Sequence, residues 1–389
     1  MILRIVPILL LLLTIPVFAI YKMLFKEKTR FIKTCLFAPN AILIILLPYL
    51  AYNDNCIKSD GAELVAIYLI IAFGIAIPEL FFSLSYACFV NRRGEKIKKI
   101  GFFFSLATAF AALSVFIISV ISCFVTIRTT KYTYVSNDIP SSFDGYKIVH
   151  LSDLHLGTFK LYPRALNNII AKINAEKADL IAFTGDLVNY DSNEINDFRH
   201  ELSKLKAKDG VVSVMGNHDY LMYVDFQGDS ANTKHIRYLQ NEQKKAGWRL
   251  LLNENICIRR GDDSIYVIGS ENDGEKPYPS RGNLSVATRG ISKGNFCILL
   301  THDPSQWRRK VLPQTDIQLT LSGHTHAGQI KIFGRSVSEI KYNEWNGIYY
   351  KGNRAILVST GVGEALMPFR FGAWPNIEIV VLKKGNSRE

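Results

Sequence analysis

The sequence predicts a two-part chain: an N-terminal four-helix transmembrane module followed by an α/β domain. Four apolar stretches of roughly bilayer-crossing length fall within the first 127 residues. From Tyr146 onward the apolar blocks shorten to strand length, at residues 147–152, 179–185, 211–216, 296–301 and 317–323. Between the first three of these, residues 161–175 and 195–205 carry apolar side chains at helical spacing. Strands without polar alternation are buried on both faces, so the sheet must be covered by other elements on each side.

The four stretches, at residues 2–21, 35–52, 62–90 and 100–127, have about the 20 residues that cross ~30 Å of hydrocarbon as a helix. Val17-Phe18-Ala19 in the first resembles a signal-peptide cleavage site. Charge decides for a retained span. Lys22, Lys26, Lys28, Arg30 and Lys33 separate stretches one and two, and Arg92, Arg93, Lys96, Lys98 and Lys99 separate three and four. The loop at 53–61 holds a single basic residue, Lys58. Under the positive-inside rule both basic loops are cytoplasmic, which puts the N-terminus, the 53–61 loop and everything after Ile127 outside. Pro78 and Glu79 fall near the middle of the third span, where an ionisable group is costly. A protonated or hydrogen-bonded Glu facing another helix at a proline kink is preferred there to a transport or lipid-binding role. Residues 1–127 thus form the membrane module. Residues 128–145, polar and ending in turn formers, read as a linker, residues 146–383 as the second domain and 384–389 as a tail.

The formal charge of +12 invites a nucleic-acid reading. Its distribution argues against one, because residues 1–131 hold 14 Lys and Arg against 6 Asp and Glu, and the rest of the chain 32 against 28. Most of the excess lies in the apolar third, where it orients a membrane protein. No nucleic-acid partner is expected; the bilayer is. A content of 48% hydrophobic and 21% charged residues excludes disorder. Cys35, Cys56, Cys88, Cys123, Cys257 and Cys297 are too few for a disulfide scaffold and lack CxxC spacing, so they read as buried thiols.

The residues that follow each short apolar run carry the chemistry. The run at 147–152 leads to Asp153 and His155, and that at 179–185 to Asp186. The run at 211–216 leads to Asn217, His218 and Asp219, that at 296–301 to His302, and that at 317–323 to His324 and His326. In open α/β sheets the carboxyl ends of the strands share one edge where ligands bind, so these residues can converge. Asp153 and His155 are two apart, as are His324 and His326, and each pair projects to one side of extended chain. Gly157, Gly185, Gly216 and Gly323 adjoin them, where backbone must pass close to an ion. A single His or Asp at a strand end is commonly a cap or a surface group; six such candidate ligands with one Asn at five ends, and His218 and Asp219 beside them, are not. Five of the eight His belong to this set, and His150, His200 and His235 read as ordinary core or surface residues. Mixed imidazole and carboxylate donors suit Zn, Mn or Fe, in number sufficient for two divalent ions. Two metals ~3.5–4 Å apart can hold a bridging hydroxide and stabilise both oxygens of an in-line phosphoryl displacement, so the set points to metal-assisted hydrolysis.

In order and complete, Asp153-Leu154-His155, Gly185-Asp186, Gly216-Asn217-His218-Asp219, His302 and Gly323-His324-Thr325-His326 resemble the five signature motifs of the calcineurin-like metallophosphoesterases. The resemblance spans residues 146–383. Tyr220, Ala327-Gly328-Gln329, Gly361-Val362-Gly363, Pro368-Phe369-Arg370 and Pro375 look closer to that family's bacterial membrane-associated or exported branch. That branch usually has Gly and Glu where Ala327 and Asn376 stand here, neither of them a ligand. The resemblance implies two packed β-sheets flanked by helices. It implies one metal held by Asp153, His155, Asp186 and His326, and a second by Asp186, Asn217, His302 and His324, with Asp186 bridging. His218 would be a non-ligand facing the scissile phosphate, as general acid or hydrogen-bond donor, with Asp219 orienting it. From its place in the C-terminal block, Arg370 reads either as a phosphate-side cation or as a surface Arg. Residues 270–295, rich in Gly, Pro and charge and without a motif of their own, read either as a loop shaping substrate access or as an idle surface loop.

The expected function is a membrane-anchored dinuclear metal-dependent phosphoesterase. It would cleave phosphodiester or pyrophosphate bonds of a lipid or envelope substrate by attack of a metal-bridging hydroxide, in the bacterial cytoplasmic membrane with its catalytic domain on the extracytoplasmic side. A relative of the same fold, the hydrolase that cleaves the nucleotide from a UDP-diacylglucosamine-type lipid A precursor, usually carries Arg where His218 stands and works in the cytoplasm. A non-catalytic metal-binding membrane sensor is disfavoured by the retention of every ligand and of His218.

Overall fold

The computed structural model describes residues 5–52, 62–224, 226 and 228–386. The chain divides into two units, Met1–Ile121 and Ser122–Glu389. The first is built from α1 (Val6–Ile20, prolonged by a π turn over Tyr21–Phe25), α2 (Arg30–Tyr52), α3 (Ala62–Val90) and most of α4 (Glu95–Val125). All four are long and apolar enough to cross a bilayer. Large side chains such as Ile45, Phe103 and Phe110 stand more than half exposed, a surface that a monomer does not sustain in water. The 53–61 loop lies outside the described residues, as does the start of the first stretch. Helix α4 begins five residues before the expected apolar block, so Lys96, Lys98 and Lys99 lie on its first turns.

Glu79 is hydrogen-bonded across helices, as the sequence suggested. Asn40 Nδ2 of α2 donates to Glu79 Oε2 of α3 at 2.8 Å and lies 2.9 Å from Leu13 O of α1. One amide thereby links three helices, the kind of interhelical polar contact that ties apolar helices together. The thiols are less uniform than expected. Cys123 and Cys297 are buried, but Cys35, Cys88 and Cys257 are exposed, and Cys56 lies outside the described residues. Cys35 and Cys88 sit on outward faces of apolar helices, and Cys257 on an edge strand; apolar neighbours in sequence do not settle which face a side chain takes.

The strands of the second unit are β1 (Arg128–Ser136), β2 (Lys147–Leu151), β3 (Leu180–Phe183), β4 (Val211–Ser213), β5 (Trp248–Leu250), β6 (Glu254–Arg260) and β7 (Asp263–Gly269). They continue with β8 (Phe296–Leu300), β9 (Leu319–Ser322), β10 (Lys331–Ile332), β11 (Arg335–Ser336), β12 (Gly347–Lys351), β13 (Arg354–Val358) and β14 (Asn376–Lys384). Two six-stranded mixed sheets result, in the orders β1-β14-β2-β3-β4-β5 and β12-β13-β9-β8-β7-β6, with β10 and β11 forming a separate hairpin. Within the sheets β2, β3, β4 and β5 run parallel, as do β13, β9, β8 and β7.

Period-2 alternation assigns each apolar side chain to a layer. Ile148, Leu180, Ala182 and Val212 of one sheet share a fully buried core with Val267, Ile298, Leu300, Leu321 and Leu357 of the other. On the opposite face of the first sheet, Val149, Ile181 and Phe183 pack against helices. The chief of these is α6 (Arg164–Ala175), which follows the short α5 (Leu156–Phe159). Its Leu166, Ile169, Ile170 and Ile173 stand at i, i+3, i+4 and i+7, the stripe that makes a helix dock. Ile268, Leu299 and Ile356 pack on Trp307 and Val311 behind the second sheet. Two sheets flanked by helices are therefore the architecture, and each fully buried aliphatic side chain contributes about 1.5–3 kcal/mol to it.

Two expectations are corrected. Residues 128–145 are not a plain linker, because β1 pairs in parallel with β14 from Arg128↔Asn376 to Ser136↔Lys384. Tyr132 and Tyr134 alternate with Lys131 and Thr133, the half-buried pattern of an edge strand, and their partner lies near the other end of the chain. Residues 195–205 form a 3-10 turn, Ser192–Phe198, and the short α7 (Arg199–Leu202) rather than one helix. The turn starts at a capping box in which the Asp191 and Glu194 side chains satisfy each other's backbone N–H groups.

Candidate metal centre

Strands β2, β3, β4, β8 and β9 deliver their next residues to one edge, where Asp153, His155, Asp186, Asn217, His218, His302, His324 and His326 meet, nearly all of them buried. To leave its strand and turn inward, the backbone is left-handed at five of the eight: Asp153 (φ 53°), His155 (47°), Asp186 (57°), His324 (74°) and His326 (49°). For residues with a Cβ this costs about 1 kcal/mol each, and such strain concentrates at functional sites. Two glycines provide the space. A Cβ on Gly216 would strike the Asp186 carboxylate, and one on Gly323 would strike Ser152 and the Asp153 carboxylate.

The donor atoms fall into two groups. In the first, His155 Nε2 lies 3.1 Å from His326 Nε2, 4.0 Å from Asp153 Oδ1 and 3.7 Å from Asp186 Oδ2, and His326 Nε2 lies 3.3 Å from Asp153 Oδ1. In the second, His302 Nε2 lies 3.0 Å from Asp186 Oδ2, 3.1 Å from Asn217 Oδ1 and 3.2 Å from His324 Nδ1. Asp186 Oδ2 belongs to both. Bonds of about 2.1 Å at angles between octahedral and tetrahedral separate neighbouring ligand atoms by roughly 3.0–3.4 Å; the second group and the His326 contacts of the first match that spacing, while His155 stands wider from the two carboxylates.

Electrostatics agree with that fit. Burial drives His155 and His326 well below the usual imidazole range, and it lowers His324 to about 4, so these rings are neutral and keep lone pairs for an ion. His302 is the exception. Burial opposes its charge, but the Asp186 carboxylate holds it up to about 10, so a proton stands where a divalent cation would neutralise the same group. Burial would raise Asp186 too, yet His302 and His218 hold it well below the carboxylate range.

Supporting groups fix the rings. His302 Nδ1 lies 2.8 Å from Thr184 O, which leaves Nε2 for the centre, and His324 Nε2 meets Tyr342 Oη at 2.8 Å, which leaves Nδ1. His218 is anchored twice: its N–H donates to Asp186 Oδ1 at 2.8 Å, and its Nδ1 lies 2.5 Å from Asn189 O. Donation from Nδ1 turns Nε2 toward the site.

Asp219 and Arg370 stand elsewhere than expected. Asp219 makes no hydrogen bond to the His218 ring. Its carboxylate accepts the backbone N–H groups of Asp186, Leu187, Val188 and Gly216 at 2.8–3.3 Å, bracing the turns that present Asp186 and Asn217. Arg370 is fully buried rather than open to a phosphate. Its guanidinium lies 3.3 Å from Glu364 Oε1, 2.9 Å from Ala373 O and 3.1 Å from His326 Nδ1. A lone Arg in sequence gives no sign of whether its partner is a substrate or a buried carboxylate. Burial pushes the Glu364 carboxyl up to about 7, with Arg370 pulling the other way. Arg370→Met should therefore cost about 3 kcal/mol, the lower end for breaking a buried pair, since Glu364 can escape by protonation. Thermal unfolding of the metal-free protein measures it.

Residues 270–295 do reach the centre. Tyr278 packs edge-on against His324 at 4.7 Å between ring centroids, and the Lys341 ammonium sits 4.3 Å from the Tyr278 ring. On the other side Tyr223 lies 4.4 Å from the His218 ring and accepts from Asn217 Nδ2 at 3.0 Å. Asn189, Tyr223, Tyr342, Glu364 and the Thr184 carbonyl are site groups that sequence reading missed. Motif spacing reports first contacts, and a supporting carbonyl has no side-chain signature at all.

The calcineurin-like phosphoesterase family model matches residues 146–328. The metallophosphoesterase YkuE of Bacillus subtilis is 34% identical over 274 residues, covering 67% of this chain and 87% of that protein. A metallophosphoesterase of Aquifex aeolicus is 28% identical over 265 residues, 67% of this chain and 94% of its own length. A zebrafish (Danio rerio) transmembrane protein with a metallophosphoesterase domain is 28% identical over 251 residues, 63% of this chain and 55% of its own. With its two-sheet fold and its clusters of Asp and His, the chain belongs to the calcineurin-like phosphoesterases, metal-dependent hydrolases of phosphoric esters.

Proposed function

We propose that this chain is a membrane-anchored phosphoesterase that cleaves a phosphodiester or pyrophosphate bond in a lipid or envelope substrate. The observation that carries the reading is the convergence of seven donor side chains on two groups sharing Asp186, with His218 close to His155 and Asp186 as an eighth; we assign it the non-ligand role. In this proposal Asp153, His155, Asp186 and His326 hold one divalent ion, and Asp186, Asn217, His302 and His324 the other. The pair of ions, when bound, supplies Lewis-acid charge stabilisation and water activation.

The chain's own groups do the rest. His218 Nε2 faces the space beside both donor groups, because Asn189 O holds Nδ1. Burial lowers its proton affinity, and in this proposal Nε2 serves as general acid to the leaving oxygen or as a hydrogen-bond donor to transition-state charge. Asp219 keeps the Asp186 and Asn217 turns in register, and Tyr223, Tyr278 and Tyr342 narrow the approach to water. The membrane module is residues 1–127, and the catalytic domain takes in β1 rather than starting after it. The basic residues between Lys22 and Lys33 and between Arg92 and Lys99, in turns and on the first turns of α2 and α4, support a cytoplasmic side for those helix ends and an extracytoplasmic side for the site.

One experiment tests reaction and orientation together. Bis-p-nitrophenyl phosphate does not cross membranes, so spheroplasts producing the full chain should hydrolyse it as fast intact as lysed. Chelation should stop the reaction and Mn²⁺ restore it. Hydrolysis only after lysis would reverse the orientation. No release from this diester or from p-nitrophenyl phosphate, by purified chain carrying two metal equivalents, would end the catalytic reading.

A further inference from the structure

The segment after His326 carries an apolar surface that the metal centre does not use. Phe333, at the tip of the β10–β11 hairpin, is fully exposed; Ile340 is 89% exposed and Val337 64%. Ile332 is about half exposed beside them. Four exposed apolar side chains within nine residues are what an interaction surface presents. Cations alternate with them along the segment. Lys331 and Arg335 lie on the two strands of the hairpin and Lys341 just beyond, against one acidic residue, Glu339, which pairs with Arg335 at 2.8 Å. Lys331 also lines a polar cavity of about 190 Å³ together with Arg128, Thr130 and Trp374. Apolar side chains at a tip with Lys and Arg behind them are the composition of a segment that enters the headgroup region of an anionic bilayer.

The fold places this patch at the edge of the metal centre. The hairpin begins five residues after His326 and is tied back to the C-terminal block, where Lys331 N donates to Phe371 O at 2.7 Å. That block leads into β14, whose first residue pairs with Arg128, the first residue of β1. Because β14 runs antiparallel to β2 with Glu378 opposite His150, both strand starts lie at the carboxyl edge of β2, next to Asp153. Arg128 is itself three residues beyond the end of α4. Only Thr126 and Ile127 separate the end of α4 from β1, whose first residue, Arg128, stands at the sheet edge that bears the hairpin and the site.

We propose that the β10–β11 hairpin, with Val337 and Ile340, dips into the surface of the bilayer that holds α1–α4, and so presents the metal centre to phosphoesters of membrane lipids. Lys331, Arg335 and Arg128 meet the headgroup phosphates. The inference rests on the membrane reading above and deepens it by naming the substrate class, phosphate-linked lipids in the plane of the bilayer. Its test does not depend on turnover.

Full-length Phe333→Trp is reconstituted into phosphatidylglycerol and phosphatidylethanolamine vesicles, with and without dibrominated acyl chains, beside wild type and Tyr350→Trp. Tyr350 pairs with Ala355 at the opposite end of its sheet and is exposed, so it serves as the control. Emission is read as the difference from wild type. The emission added by Phe333→Trp should be quenched about twofold or more by brominated chains, and that added by Tyr350→Trp hardly at all. Flotation of the wild-type vesicles separates the two ideas: protein that does not float ends the membrane reading and this inference with it. Protein that floats while the emission added by Phe333→Trp stays unquenched overturns the inference alone. If that emission changes with protein-to-lipid ratio but not with bromination, the patch is a contact with a second copy, and the inference is overturned as well.

Discussion

Asp186→Asn is expected to empty both metal positions at once and to lower turnover by about 10⁴-fold or more, because one carboxylate oxygen serves both donor groups. Asn keeps an oxygen for the His218 N–H, now held at 2.8 Å, so the turn after β4 should survive and the effect should report lost charge rather than lost fold. The same charge holds His302 up to about 10. Without it His302 falls back toward an ordinary imidazole, and the second group loses its organising partner. Metal content per chain by mass spectrometry, read beside activity, decides the matter. A variant that retains two equivalents would show that Asp186 does not bridge.

His218→Ala should behave in the opposite way, with both metals retained and the rate lost. Its size should depend on the leaving group. p-Nitrophenolate departs without a proton, so the loss on bis-p-nitrophenyl phosphate should be about tenfold, whereas an alkyl phosphodiester should slow by about 10³-fold. An equal loss on both substrates would make His218 a stabiliser of phosphoryl charge and not an acid. Full activity on both would remove it from the chemistry altogether.

The five strand ends that carry the candidate ligands were legible because two signals coincide there. An apolar run buried on both faces reads as a parallel strand without any partner being known, and the polar residue that closes it has nowhere to point except the edge. Asp153, His155, Asp186, Asn217, His302, His324 and His326 all follow that rule. Asp219 and Arg370 look the same in sequence and act differently, because a carboxylate that braces backbone and a guanidinium that pairs with Glu364 are told apart only by what surrounds them. Strand β1 escaped for another reason. Its alternation is weak and its pairing with β14 joins distant parts of the chain, so no window of neighbouring residues contains the information. Phe333 and Ile340 sit in a short mixed segment whose apolar residues would pass in sequence for core.

Five candidate ligands, Asp153, His155, Asp186, His324 and His326, stand in backbone conformations that their own side chains disfavour and that glycine would adopt without strain. Glycine would not come free at two of them, because the Asp186 and Asp153 carboxylates accept the backbone N–H groups of His218 and His324. The same side chains that strain the turns therefore also tie one turn to the next, so that a change at one candidate ligand is felt at its neighbour.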